Sequence, residues 1–336
     1  LLSLLPLAGG YHMNLMKAES PGPSVSKLVP KVQQTAKILY SIYIGMTLLQ
    51  IVLLLIGNIP LFDTLCIAFG TAGTGGFGIK NDSMGSYSLY IQIVITIFMI
   101  LFGVNFNVYF LLLTRKFSQA LKSEEVRCYF FVIIASALMI TFNVRHLFDN
   151  VWEALQQAFF QVGSIITTTG YATVDFNTWP TFSKAILVAL MFIGGCAGST
   201  AGGLKVSRAM ILLRTIRREI NRLVHPRRVT AVRCDGKALG SEVQRGVSIY
   251  FALYCLCILV AFLCLSGEPF TLETNLSAVV SCFNNVGPGL GAVGPAGSYA
   301  DYSVLSKLLL SMAMLMGRLE IYPMLVALSP SVWRKD

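Results

Sequence analysis

The chain has 336 residues, of which 55% are hydrophobic and 12% charged, and its mean hydropathy is +0.68. That is more apolar surface than a water-soluble domain can bury, so the soluble globular classes are excluded and a membrane-embedded chain is left. The formal charge of +10 fits attraction to anionic lipid headgroups rather than nucleic-acid binding, because the basic residues are not interleaved with stacking aromatics.

In chain order, lightly charged apolar stretches run over 38–57, 87–113, 128–142, 185–203, 247–265 and 302–325. Most reach the ~20 residues a helix needs to cross a bilayer; 128–142 is the shortest. Three further segments, 61–72, 151–165 and 271–283, are too short to span and end directly at glycine-containing loops. Non-helical backbone at membrane depth is tolerated only against protein or a water-filled cavity, so these segments are predicted to be re-entrant helices. The pattern is an all-α polytopic membrane protein made of three copies of one unit: outer helix, short descending helix, loop, inner helix.

The boundaries read from this pattern start with the end of a preceding inner helix plus a cytoplasmic linker (1–36). A unit over 37–113, a cytoplasmic loop over 114–127, a unit over 128–222, a cytoplasmic loop over 223–245 and a unit over 246–336 follow. Four basic residues lie in 17–37, four in 115–127, eleven from Lys205 to Arg245 and two at Arg334 and Lys335. The positive-inside rule puts these segments in the cytoplasm and the glycine loops on the opposite side.

The loops share a frame: Thr74-Gly75-Gly76-Phe77-Gly78, Thr168-Thr169-Gly170-Tyr171-Ala172 and Asn285-Val286-Gly287-Pro288-Gly289. Each has a polar first residue and Gly third, like the Thr-Val-Gly-Tyr-Gly loop whose backbone carbonyls replace the water shell of potassium in channels. One match is weak, since Thr-Gly-Gly turns are common. Three, each between a short and a long apolar segment, specify an ion filter with potassium at Thr74, Gly75, Thr168, Thr169, Asn285 and Val286. Asp63, Glu153 and Glu273 lie 13, 17 and 14 residues before the frame glycines. An acid there suits a helix N-terminus whose negative C-terminal end faces the ion path, although ordinary N-terminal preference explains it equally.

The inner helices carry Gly103, Gly194 and Gly317, which fall 27, 24 and 30 residues after the frame glycines. In the second unit the run continues Gly194-Gly195-Cys196-Ala197-Gly198-Ser199-Thr200-Ala201-Gly202-Gly203, too glycine-rich for a continuous helix. Close helix packing through small residues is the competing reading; an unwound intramembrane gate below the filter accounts better for two Gly pairs flanking Ser199-Thr200. Arg318, the charge in the last apolar stretch, aligns with Gly195. Charge at that depth is functional or paired, here with Glu320 or a backbone carbonyl across the pore; snorkelling is the alternative.

These residues resemble the Trk/Ktr/HKT superfamily of potassium transport proteins, and within it the TrkH branch. The most specific marks are Thr167–Thr173, Gly194–Lys205, Asn284–Gly291 and Gly317-Arg318-Leu319-Glu320, and the resemblance covers essentially the whole chain. It implies a four-loop filter using Gly76, Gly170 and Gly287, with an intramembrane gate from Gly194 to Gly203 and Arg318 beside it as an electrostatic barrier. It further implies potassium uptake across the bacterial inner membrane, with filter loops facing the periplasm. The implied assembly is a homodimer seated on a cytosolic TrkA-like ring that binds ATP or NAD, so this chain itself binds no nucleotide. The family has four units and three are visible, so the first is expected upstream of Leu1. Residues 1–9 are expected to be the tail of its inner helix.

No enzyme chemistry emerges. His12, His146 and His225 are scattered and there is no Cys-x-x-Cys. The cysteines, mostly in apolar runs, read as small packing hydrophobes. A sodium-permeable or nonselective transporter of the same superfamily, and a non-conducting pore-like scaffold, are the alternatives. Ser in place of a frame Gly would favour the first of them, and all three positions are Gly. Passive and ion-coupled transport are both compatible with these motifs.

Overall fold

The computed structural model describes residues 32–225, 231–319 and 321–328. The expectations for residues 1–31, Arg227, Arg228, Glu320, Arg334 and Lys335 fall outside them.

Among the described residues three single helices are long and apolar enough to cross a membrane: α1 (Val32–Ile56), α6 (Glu124–Val144) and α10 (Ser241–Leu265). They are the outer helices of the three units. Each is followed by a short helix, respectively α2 (Leu61–Ala72), α7 (Val151–Ile166) and α11 (Leu272–Asn284). Asp63, Glu153 and Glu273 lie in their first turns, where a carboxylate meets the positive end of the helix dipole. Inner helices then return as α3 (Leu89–Phe102), α8 (Thr181–Ile193) and α12 (Val304–Leu319).

The packing repeats with the sequence. Each outer helix packs on its own short helix and each short helix on its own inner helix. The inner helix then packs on the short helix of the next unit, α3 against α7 and α8 against α11. Units two and three share one apolar core. Unit one has its own, which Phe160 and Tyr171 of unit two enter. The chain is thus a mostly helical, polytopic, integral membrane protein.

Several boundaries differ from the sequence reading. The first unit begins at least as early as Val32 rather than at residue 37. The span around 128–142 is a full helix of 21 residues from Glu124. Glu124 and Glu125 made it look short, yet both belong to its first turn, where acids are favoured. Likewise α10 starts at Ser241, not 246, with Glu242 in its first turn. The apolar stretch 87–113 is not one helix: α3 and α4 (Phe106–Leu113) meet at a 93° bend over Gly103–Asn105. In the last stretch helix is described over α12 up to Leu319 and over Ile321–Leu328 (α13).

The expected cytoplasmic loops carry structure of their own: a short α5 (Phe117–Leu121) precedes α6 in the first. Before the second, α9 (Val206–Val224) closes unit two after the glycine-rich segment. Beyond α9 a two-stranded hairpin pairs Arg233 with Ala238 and Cys234 with Lys237. Its turn, Asp235-Gly236, has φ of 49° and 76°, the two positive values a type I′ turn requires. Asp235 Oδ1 accepts the Glu124 amide at 2.8 Å and so caps α6. Glu124 also pairs with Arg214 of α9 at 2.6 Å.

Candidate functional site

Each short helix runs straight into its glycine loop, and the three loops have one backbone. The first frame residues, Thr74, Thr168 and Asn285, have φ of 50°, 55° and 58°; the third, Gly76, Gly170 and Gly287, have φ of 66°, 86° and 104°. The residue between them is not in the left-handed region. For Thr, β-branched and with a Cβ that crowds this conformation, the value is an outlier that the surrounding structure must impose. The first amide bonds three residues back, Thr74 to Thr71, Thr168 to Ile165 and Asn285 to Cys282, at 3.0–3.1 Å. The second bonds five back, Gly75 to Gly70, Thr169 to Ser164 and Val286 to Ser281, at 2.8–2.9 Å.

The consequence lies in the carbonyls. Among the described residues, none of the carbonyl oxygens of Thr74, Gly75, Thr168, Thr169, Asn285 and Val286 accepts a hydrogen bond. Protein interiors rarely leave backbone acceptors unpaired without another partner. The loops also touch in order. A Cβ on Gly76 would collide with the Thr169 carbonyl, and one on Gly170 with the Val286 carbonyl. Beside Gly287 a Cβ would meet nothing within 4 Å among the described residues.

Side chains behind the loops brace them. The Tyr171 hydroxyl is buried and donates to the carbonyls of Ile67 (3.3 Å) and Phe77 (3.4 Å), tying loop two to loop one. Tyr299 donates to the Gly287 carbonyl at 2.8 Å, and Asn285 Nδ2 to that of Met314 at 3.0 Å. Phe77, the aromatic that shares the fourth frame position with Tyr171, is instead 79% exposed. The two aromatics are therefore not equivalent.

Below the loops the second inner helix stops at Ile193, and 194–205 forms an irregular segment with positive φ at Gly194, Gly198, Gly203 and Lys205. Its two ends are pinched, since a Cβ on Gly194 would strike the Gly202 carbonyl and the Gly203 Cα. Gly195 lies beside Ala201 and the Gly103 carbonyl, leaving no room for a side chain. The segment fills the break between α3 and α4. Cys196 N donates to Gly103 O (3.0 Å), Thr200 Oγ1 to Phe102 O (3.2 Å), and Phe106 N to Gly198 O (3.1 Å). Backbone groups that the bent helix leaves unpaired are satisfied by it.

The segment also reaches the glycine loops. Gly202 N donates to Thr168 Oγ1 at 2.7 Å, and a Cβ on Gly202 would press on the Asn284 carbonyl. Ser199 Oγ turns back on Cys196 O at 2.7 Å. The Thr200 carbonyl accepts two donors from different units, Thr74 Oγ1 at 2.8 Å and Arg318 Nη1 at 3.0 Å. Of the two partners considered for Arg318, this is the backbone carbonyl; Glu320 is not among the described residues. Just before Arg318, Gly317 lets α12 press on the end of α11 where it enters loop three, because a Cβ there would collide with the Phe283 carbonyl.

A family model described as TrkH, cation transport protein, matches residues 1–335. The chain belongs to the TrkH family. The Trk system potassium uptake protein TrkH of Salmonella typhimurium is 35% identical over 339 residues, covering 99% of this chain and 70% of that relative. The Trk system potassium uptake protein TrkG of Escherichia coli is 34% identical over 338 residues, covering 99% and 69%. The crystal structure of the potassium transporter TrkH from Vibrio parahaemolyticus matches with a TM-score of 0.87 at 34% identity. It covers 95% of this chain and 69% of that one.

Sequence reasoning gave no site role to four residues at the heart of this TrkH-family site: Asn105 and Glu125, which it passed over, and Thr167 and Lys205, which it noted only as ends of marked segments. Asn105 caps α4 by accepting from Asn107 N at 3.0 Å and lies against Gly198. The Thr167 and Thr169 hydroxyls bond one another at 2.7 Å beneath loop two. Glu125 is 7% exposed and accepts the Ala197 amide at 2.6 Å. Lys205 is 5% exposed and bonds the Ala201 carbonyl. Glu125 and Lys205 each sit at the polar edge of an apolar run, where a charge reads as a helix terminus or a topology signal rather than as a partner.

Proposed function

We propose that this chain provides three sides of a potassium-selective pathway for uptake across the bacterial inner membrane. In this reading the unpartnered carbonyls of Thr74, Gly75, Thr168, Thr169, Asn285 and Val286 take the place of water around the ion, with Gly76, Gly170 and Gly287 shaping the loops. One observation carries it: three loops distant in sequence share one backbone, abut in order and leave the same carbonyls free. Potassium is cargo, and no covalent chemistry is involved. The segment from Gly194 to Gly203 is the gate, since it lies under the loops and is bonded to both Thr74 and Arg318. The names of the relatives, potassium uptake proteins of Trk systems, support the choice of ion and a regulatory partner. We infer that the partner is a cytosolic, TrkA-like subunit binding ATP or NAD, seated on a homodimer at the cytoplasmic face near α9. The decisive experiment reconstitutes the complete protein in liposomes and follows rubidium and sodium entry. Rubidium entry with sodium largely excluded is expected. Equal permeation would support a nonselective transporter, and no flux in any nucleotide state a scaffold.

A further inference from the structure

We propose that Glu125 and Lys205 form a two-point clamp that keeps the 194–203 segment across the pathway, Glu125 acting as a positioning residue for the gate. The inference rests on the gate reading above and deepens it. The segment from Gly194 to Gly203 is built of Gly, Ala, Ser, Thr and one Cys, so it has little apolar side chain to hold it in place. Its position must come from polar contacts. Three of them are charged: Arg318 meets the apex at the Thr200 carbonyl, and the other two fall on opposite limbs. On the way in, the Glu125 carboxylate accepts Ala197 N at 2.6 Å; on the way out, the Lys205 ammonium donates to the Ala201 carbonyl. Between them lies the apex, Gly198–Thr200, whose last carbonyl meets Thr74 and Arg318.

Two opposite charges this deeply buried are tolerated only when each is compensated. Here Glu125 accepts the gate amide of Ala197 and Lys205 donates to the gate carbonyl of Ala201, while the attraction between the two side chains is the smaller influence on Glu125. Lys205 has φ of 77° and ψ of 136°, a conformation that L-residues rarely adopt and that persists only where its surroundings impose it. The clamp is also wired to the cytoplasmic face. Lys205 immediately precedes α9, and Glu124, next to Glu125, is tied to Arg214 of α9 and to the hairpin at Asp235. A pull on α9 therefore moves Lys205 against a carboxylate anchored on α6, separating the two limbs.

A native reporter permits a test that does not depend on conduction. Cys196 lies in the gate and is 0% exposed, while Cys282, on α11 behind the third loop, is 7% exposed and belongs to neither limb of the clamp. The complete protein in liposomes is treated with a membrane-permeant maleimide, and labelling of each thiol is followed by peptide mass spectrometry for wild type, E125Q, E125A and K205M. Cys196 is expected to label at least tenfold faster in E125A and K205M, with E125Q intermediate because it keeps the acceptor oxygen without the charge; Cys282 should be unchanged. Wild-type protection of Cys196 in all variants would overturn the clamp. Equal acceleration at both thiols would overturn it too, in favour of a general structural role. Rubidium flux measured in parallel judges the pathway reading separately: a wild-type protein that carries none defeats that reading, while the thiols still decide the clamp.

Discussion

The Thr200 carbonyl is the point where the first glycine loop, the 194–203 segment and Arg318 meet, so it is where a graded perturbation of the proposed gate should be most informative. Thr74→Val removes a neutral hydroxyl donor from a nearly buried position while keeping the shape of the side chain. A neutral hydrogen bond is worth about 0.5–1.5 kcal/mol net. Arg318→Met removes a charged donor at 3.0 Å. Because Arg318 is exposed within this chain, water competes for it, and the lower part of the charged range, about 1.5 kcal/mol, is the appropriate figure. Each single variant leaves Thr200 with the other donor, so closed-gate stability falls modestly and basal rubidium leak rises roughly 3- to 10-fold. The double variant leaves the carbonyl without either, adding a penalty of about 1–3 kcal/mol for an unsatisfied acceptor. Its leak should therefore exceed the product of the single effects, a coupling expected only of groups that share a partner. The assay is rubidium entry into proteoliposomes without any cytosolic subunit, normalised to inserted protein. Leak equal to wild type in all three variants, or a double variant matching the product of the singles, would refute the shared-acceptor reasoning.

Gly170→Ala combines a φ of 86° with a Cβ driven into the Val286 carbonyl, so it should erode rubidium over sodium discrimination by at least tenfold in competition flux; preserved discrimination would separate the loop from selectivity. Charge reversal at Arg217 and Arg218 on α9 should abolish co-purification of the proposed nucleotide-binding subunit while insertion stays normal, and retained binding would leave these charges a role at the lipid surface. Glu268, in the loop after α10, accepts from Ser306 Oγ at 2.6 Å and Ser303 N at 3.1 Å at the start of α12. Its hydrogen bonds with Ser303 and Ser306 hold its carboxyl below the ordinary glutamate range. A depressed folded-state pKa means the stabilisation is present above the unfolded value, near pH 4.3, and lost as pH falls through the folded one. The protection of the Ser303–Ser306 amides relative to their intrinsic exchange should accordingly fall below about pH 4 in wild type, and in Glu268→Gln it should be lower already at neutral pH and flat with acidity.

Much of this protein is determined locally and can be read without coordinates. Hydropathy and charge set the spans, because the bilayer punishes buried charge and unpaired backbone wherever the segment lies. The loop frames are equally local. A Gly two residues after Thr74, Thr168 or Asn285 permits a left-handed backbone at each loop, and the sequence repeat appears as a repeat in φ. The break at Gly194–Gly203 follows from composition in the same way. What the residues alone left open is who meets whom. Thr74 and Thr200 are 126 positions apart, Arg318 and Thr200 118, Glu125 and Ala197 72. Nor did the apolar run 87–113 announce its bend, since that break is stabilised by gate amides and carbonyls arriving from another unit. A hydrogen bond to a backbone carbonyl carries no side-chain signature at its acceptor, so the sequence determined the parts and their depth in the membrane, and only the tertiary structure decided that they close on the single oxygen of Thr200.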